Sequence, residues 1–261
     1  VIWDGPIIDF HTHLLSESSG LRERDGSRSC LLEAADRYGL ERLVVMPLFG
    51  GMHPSREEIE AGNDAAAAFG RQDARVAPFV TVYPPHQQDA LAEVQRRIGG
   101  EGFAGLKVWC SLANGPFMDD LMEYMTSVNK PTLIHALHKS LDAAAVTGGQ
   151  YPLESRPAHI AELARRHPRA RIVMAHAGGN FLWSCDLIRD CPNVWTDISG
   201  TYCETGMVEH AVDTLGEHRV LFGTDLPGAS FATNLAKVVA ADASAGVKSR
   251  LLYHNARELL A

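Results

Sequence analysis

The stretch IIDFHTHLL, residues 7–15, governs the reading of this chain. It is rich in β-branched and apolar residues, and the side chains of a strand point alternately to opposite faces. On an unbroken strand Ile8, Phe10 and Thr12 share one face, while Asp9, His11 and His13 share the other. Two imidazoles along one face of a buried apolar strand are costly to desolvate unless something binds them. Whether that partner is a metal depends on what the rest of the chain brings to the same place.

Working outward from this strand, short β-branched runs alternate with longer amphipathic stretches. The predicted strands are 6–14, 42–48, 75–83, 103–109, 131–136, 171–177, 193–199 and 219–225. Helical periodicity, with apolar residues at i, i+3, i+4 and i+7, covers 29–39, 55–72, 86–99, 118–129 and 157–167. Two further helices are expected at 231–244 and in a closing RELL. Gly39 suits a helix stop and Pro157 a helix start. Eight such alternations predict an α/β fold, a single (β/α)8 TIM barrel over residues 1–261. An open doubly wound sheet is the weaker alternative, because the first turn has no Gly-rich phosphate fingerprint. The long irregular stretches 14–28 and 137–156 follow strands, which puts both on the C-terminal face of a barrel.

Composition narrows the function classes. The chain has 261 residues, 46% of them hydrophobic, enough for a sizeable core, and a formal net charge of −8. It lacks the basic cluster of a nucleic-acid surface and any apolar run near the ~18 residues of a membrane span. The pairs in "QRR" (95–97) and "ARR" (164–166) read as solvated helix faces. Cys30, Cys110, Cys185, Cys191 and Cys203 are odd in number and contain no C-x-x-C, which predicts reduced packing thiols in a cytoplasmic protein. The start VIWDG has no secretory n-region and no Met, and reads as processed or trimmed.

The polar residues of the predicted strands gather at their C-terminal ends, where barrel enzymes keep their chemistry. His11 and His13 lie on strand one, Lys107 on strand four, His135 on strand five, His176 on strand six and Asp225 on strand eight. Neutral imidazoles with a carboxylate suit Zn²⁺, and Mn²⁺, Fe²⁺ or Ni²⁺ are compatible. A catalytic zinc keeps an open position and brings its water's pKa to roughly 7. Asp225 is then a candidate both for the metal and for the proton.

With these residues in place, the sequence resembles the amidohydrolase superfamily, most closely the amidohydrolase-2 branch that includes aminocarboxymuconate-semialdehyde decarboxylase. IIDFHTHL, GLKVW, LIHA, MAHAGG, DISG, LFGTDLP and NARELL carry the resemblance, in family order along nearly the whole chain. It implies that His11, His13, His135 and Asp225 are metal ligands and that His176 polarises substrate or activates water. In binuclear members a strand-six histidine binds a second metal and a carboxylated strand-four lysine bridges the pair, positions held here by His176 and Lys107. One zinc is expected, which leaves Lys107 free to meet an anionic substrate group, with a second metal as the alternative. Many members of the superfamily add a β-sandwich domain built from both termini. Only six residues precede strand one here, so that domain is expected to be absent.

Lesser candidates surround this set. Asp9 is either an anchor for an imidazole or a partner of backbone amides. Trp109 and Phe49 are candidate pocket walls, and His138, Arg156 and, more weakly, His53 are candidate substrate contacts. His86, His159, His167, His210, His218 and His254 read as surface residues. Gly178 and Gly179 allow a tight turn with backbone close to a ligand. The first functional expectation is hydrolysis of a small amide, ester or lactone. The alternative is non-oxidative decarboxylation of a small unsaturated or aromatic acid, and a third reading is a non-catalytic binding barrel. The expected partner is a small molecule, with neither nucleic acid nor membrane, and a homo-oligomer is compatible with the sequence.

Overall fold

Eight parallel strands, hydrogen-bonded in chain order, form the centre of the computed structural model, which describes residues 3–15, 24–51, 53–83, 87–109, 113–138, 153–200 and 203–261. The strands are β1 Ile7–Leu15, β2 Leu40–Leu48, β3 Val76–Val82, β4 Gly105–Val108, β5 Thr132–Ile134, β6 Ile172–Met174, β7 Val194–Asp197 and β8 Val220–Leu221. Backbone bonds complete the circuit between the last strand and the first. Phe10 N–H donates to Phe222 O at 3.0 Å, Asp225 N–H to His11 O at 2.7 Å and His13 N–H to Leu226 O at 2.7 Å. The expected TIM barrel is therefore the observed fold, and among the described residues every named strand belongs to this sheet. No described helix is long and apolar enough to cross a membrane.

Each strand is followed by a helix packed on the outside: α1 Arg24–Tyr38, α2 Arg56–Gln72, α3 Gln87–Gly100, α4 Phe117–Ser127, α5 Pro157–Arg166, α6 Phe181–Ile188, α7 Met207–Leu215 and α8 Phe231–Val239. Local chemistry sets their ends. Ser55 and Glu58 form a reciprocal capping box at the start of α2, satisfying two otherwise orphaned backbone donors. Pro157 opens α5. Gly39 takes φ +66° immediately after α1, as a helix stop requires.

Two apolar layers result. Ile8, Phe10, Val44, Met46, Phe79, Leu133, Val173 and Leu221 pack inside the barrel. Ile7, Leu43, Val45, Val80, Leu106, Ile134, Ile172 and Val220 pack outward, in the cluster that holds the helices' apolar faces.

Three sequence expectations are corrected here. The alternation along β1 breaks, because the three steps from Asp9 to Thr12 oppose only the two from Leu43 to Val45 on β2. This β-bulge re-aims the side chains beyond it. Asp9 accepts bonds from Thr224 Oγ1 (2.6 Å), Thr224 N–H (3.0 Å) and His11 N–H (3.2 Å), so it pins the seam between β1 and the segment after β8. Second, Arg97 of "QRR" is 1% exposed: it reaches Asp64, Glu93 and Glu101 and lies over the Phe103 ring. Third, the helix expected over 231–244 stops at Val239, and a short α9, Ala245–Ser249, starts anew under a Ser244 cap.

The periodicity also missed α6 and α7. The α6 sequence FLWSCDLI is apolar nearly all round and offers no amphipathic stripe, and α7 is only nine residues between Gly206 and Gly216. Cys30, Cys185, Cys191 and Cys203 are free thiols, while Cys110 and His86 lie outside the described residues.

Candidate active site

The bulge in β1 and the closing backbone bonds bring His11, His13 and Asp225 to one point at the C-terminal end of the barrel. Asp225 Oδ1 lies 2.9 Å from His13 Nε2 and 3.7 Å from His11 Nε2, and one ligand atom from each of the three falls within 4.8 Å of the others. Burial pushes the Asp225 carboxyl up, but the hydrogen bond from His13 and the surrounding imidazoles outweigh it and hold the group far below the usual carboxylate range. Burial and the Lys107 ammonium push His11 down to about 4, so its ring is neutral near pH 7. An ionised carboxylate beside the neutral His11 imidazole is donor chemistry suited to a first-row divalent cation. His13 Nδ1 is buried with no partner among the described residues.

Backbone conformation is costly at the same place. Four described non-glycine residues have positive φ: Asn129, His176, Ala177 and Asp225. Three of these flank the site. A left-handed residue other than glycine costs about 1–2 kcal/mol, which the closing hydrogen bonds offset.

His176 follows β6 and is buried, with its ring 4.8 Å from that of His11 and 5.2 Å from that of His135. Burial first of all pushes it well below its ordinary range. Lys107, also fully buried, places Nζ 3.2 Å from His11 Nε2. His135 joins the file of rings, but its Nε2 is 2.9 Å from Glu154 Oε1, and it is not part of the His11–His13–Asp225 group. On the other side, the Trp109 ring is 5.9 Å from His135, and Phe49 meets Trp109 edge-on at 5.9 Å. Phe49, Tyr83 and Trp109, just past the ends of β2, β3 and β4, form one buried cluster with Ile59 of α2, and His53 hydrogen-bonds Tyr83.

Other candidates sit further out. The His138 ring lies 4.2 Å from that of Trp183, and Arg156 is exposed at the start of α5. Gly178 and Gly179 approach neighbouring chain: a Cβ at Gly179 would meet His138 O at 2.8 Å, and one at Gly178 would meet Ser184 at 2.6 Å. His167 is bonded to Asp119 at 2.6 Å and ties α5 to α4.

The sequence reading missed two carboxylates. Asp197, at the end of β7, is fully buried and accepts from His11 Nδ1–H at 2.9 Å through Oδ2. Its Oδ1 accepts from the backbone N–H of His176 (2.9 Å) and Ser199 (3.0 Å) and from Ser199 Oγ–H (2.6 Å). Burial raises this carboxyl, but His11 and the hydrogen bonds prevail and hold it far below its usual range. The rule that picked out Asp225, an acid ending an apolar barrel strand, also fits the Asp of NVWTDIS. Glu154 lies in a loop 19 residues beyond His135, and no local pattern marks it.

Comparisons with known proteins bear on the family and the fold. The amidohydrolase family model (Amidohydro_2) matches residues 8–261. No curated protein matches the chain by sequence. Among solved structures, 2,6-dihydroxybenzoate decarboxylase from Rhizobium is 18% identical, with TM-score 0.77 over 97% of this chain and 98% of its own. A dihydroxybenzoic acid decarboxylase from Polaromonas, solved with manganese and the inhibitor 2-nitroresorcinol, is 17% identical, with TM-score 0.76 over 98% and 97%. A putative amidohydrolase from Staphylococcus aureus is 16% identical, with TM-score 0.75 over 98% and 99%. At these identities the structural likeness shows the fold; the family rests on the model that spans the chain from β1 to its last residue. This chain belongs to the amidohydrolase family.

Proposed function

We propose that this protein is a metal-dependent, non-oxidative decarboxylase of a small aromatic acid. The observation that carries the reading is the file of rings from Phe49 through Trp109, His135 and His176 to His11, which sets an aromatic wall beside the metal-donor group. Of the two reactions expected from sequence, decarboxylation now has more support than hydrolysis. Several superposable barrels are decarboxylases of hydroxylated benzoates, two of them described with manganese.

His11, His13 and Asp225 would hold one divalent ion, with His135 completing the set through Nδ1, since Glu154 occupies its Nε2. The ion, zinc or manganese, supplies Lewis acidity that fixes and polarises oxygen atoms of the acid. Phe49 and Trp109 position the ring by packing. Lys107 would offer its ammonium to an anionic oxygen of the substrate, and His138 and Arg156 are proposed as outer contacts. Asp225, whose side chain is 26% exposed while His11 and His13 are enclosed, would pick up a proton from solvent and pass it to the ring carbon of the bound acid. That carbon gains a hydrogen, its bond to the carboxylate breaks, and carbon dioxide leaves. His176 stabilises the charge that develops.

The test is turnover of a hydroxybenzoate panel in D₂O and, separately, in H₂¹⁸O. The expected outcome is carbon dioxide with one solvent deuteron at the carbon that bore the carboxylate. Uptake of ¹⁸O into the product without carbon dioxide would return the reading to hydrolysis. A metal-loaded protein that turns over nothing would favour a binding barrel.

A further inference from the structure

We infer that Ser199 locks His176 in the Nδ1–H tautomer, so that its Nε2 lone pair is the atom offered to the reacting group. The inference follows from counting protons around one hydroxyl. Ser199 Oγ has three polar neighbours, Asp197 Oδ1 at 2.6 Å, His176 Nδ1 at 2.9 Å and His11 Nδ1 at 3.0 Å, while Asp197 Oδ2 lies against His11 Nδ1. A serine hydroxyl has one proton and two acceptor lone pairs. At 2.6 Å from an ionised carboxylate oxygen that proton has to lie between Oγ and Oδ1, since two facing lone pairs at this distance repel. Toward both imidazoles Ser199 Oγ therefore acts as an acceptor. His176 Nδ1 must carry hydrogen, and so must His11 Nδ1, which also donates to Asp197 Oδ2. Each ring is left with a bare Nε2. For His11 this is the nitrogen 3.7 Å from Asp225 Oδ1; for His176 it is the one free to accept or return a proton.

The surroundings hold this arrangement in place. Lys237 Nζ donates to Ile198 O (2.9 Å) and Gly200 O (3.1 Å), the carbonyls on either side of Ser199. A Cβ at Gly200, where φ is +97°, would come within 3.2 Å of His176 Nδ1, and one at Gly223 would meet Ser199 Cβ at 3.2 Å and His11 Cβ at 2.9 Å. The backbone N–H of His176 is itself bonded to Asp197 Oδ1. Ser199 is thus a positioning residue: it sets which His176 nitrogen faces the reaction. A merely space-filling serine has no need to separate the two tautomers.

The assignment rests on the proposed function only for what the exposed Nε2 does; the tautomer itself is read without substrate. The experiment is two-bond ¹H–¹⁵N correlation of ring-labelled histidines in the whole chain, metal-free and loaded with Zn²⁺, with His176 assigned by the signal lost in His176→Asn. The expected result is a single Nδ1–H tautomer for His176 in the unsubstituted protein. Ser199→Ala should turn it into a mixture or into Nε2–H and lower kcat/KM roughly 10-fold. Metal affinity should stay near the starting value, because His11 keeps Asp197. Ser199→Thr, which restores a hydroxyl, should restore the tautomer. An Nε2–H signal in the unsubstituted protein overturns the inference, as does a tautomer unmoved in Ser199→Ala. Should Ser199→Ala fail to fold, the unsubstituted spectrum decides by itself. A protein that decarboxylates nothing yet shows the Nδ1–H tautomer sinks the proposed function and leaves this lock standing.

Discussion

Asp197 Oδ2 accepts a hydrogen bond from His11 Nδ1 at 2.9 Å, and neither side chain is exposed to solvent. The bond fixes which nitrogen of His11 faces the metal-donor group, and the same carboxylate reaches His176 through its backbone N–H. An imidazole whose far nitrogen is held by a carboxylate is a stronger and better-aimed ligand. Asp197→Asn keeps the shape but replaces an acceptor by an amide that can present N–H to His11. Divalent-metal affinity, measured by chelator competition, should fall roughly 10–100-fold. An unchanged affinity would remove Asp197 from the metal's support.

Lys107 sets a second prediction. Its ammonium lies 3.2 Å from His11 Nε2, the nitrogen proposed to bind metal, and like charges in a buried site repel strongly. Lys107→Met should therefore tighten divalent-metal binding several-fold while raising KM for an acid substrate. Looser binding, together with a loss of metal from about two ions per chain to one, would instead make Lys107 a carboxylated bridge.

The buried Asp9 gives a pH signature in the metal-free chain. Burial pushes its carboxyl up from 3.8 to about 7. Between those values the folded chain holds a proton there that the unfolded chain has released, so Asp9 makes stability fall as pH rises from 4 to 7. The slope from this group is at most about 1.4 kcal/mol per pH unit. His11, pushed from 6.5 down to about 4, acts with the opposite sign over nearly the same window. Denaturant melts of the unsubstituted and Asp9→Asn chains from pH 4 to 7 separate the two: the difference in stability, unsubstituted minus variant, should decline steadily with rising pH. A difference independent of pH would show that Asp9 titrates normally.

The aromatic wall is tested by its ring. Trp109 is buried against Phe49 and near His135. Trp109→Leu should raise KM for an aromatic acid by roughly 3–10-fold, in line with about 0.5–1.5 kcal/mol for a lost ring pair. Trp109→Phe should recover most of it, with kcat changing less than KM in both. Equal KM values in all three proteins would confine Trp109 to packing.

Much of this architecture was legible in the linear pattern. Each of the eight predicted strands overlaps an observed one, because strand and helix periods differ and the chain alternates between them without a break. What the pattern could not register was the bulge between Asp9 and Thr12. Period two assigns faces only while pairing is unbroken, and one extra residue sends Asp9 to Thr224 rather than to an imidazole. Arg97 was misread for a related reason: a basic residue on a helix looks solvated until three carboxylates from α2, α3 and the turn after it close around it.

The sequence by itself determined that the chain would build a parallel barrel and which polar residues would end its strands, since both follow from spacing along the chain. His11, His13, His135, His176, Lys107 and Asp225 were all recognisable as residue types out of place in apolar strands. Only the tertiary structure decided how they divide: His11, His13 and Asp225 converge, His135 turns to Glu154, Lys107 meets His11, and Asp197 with Ser199 sets the protons of two rings. The physical reason is that hydrogen bonds and ion pairs act over about 3 Å between side chains separated by as many as 215 residues, and such proximities exist only once the barrel closes.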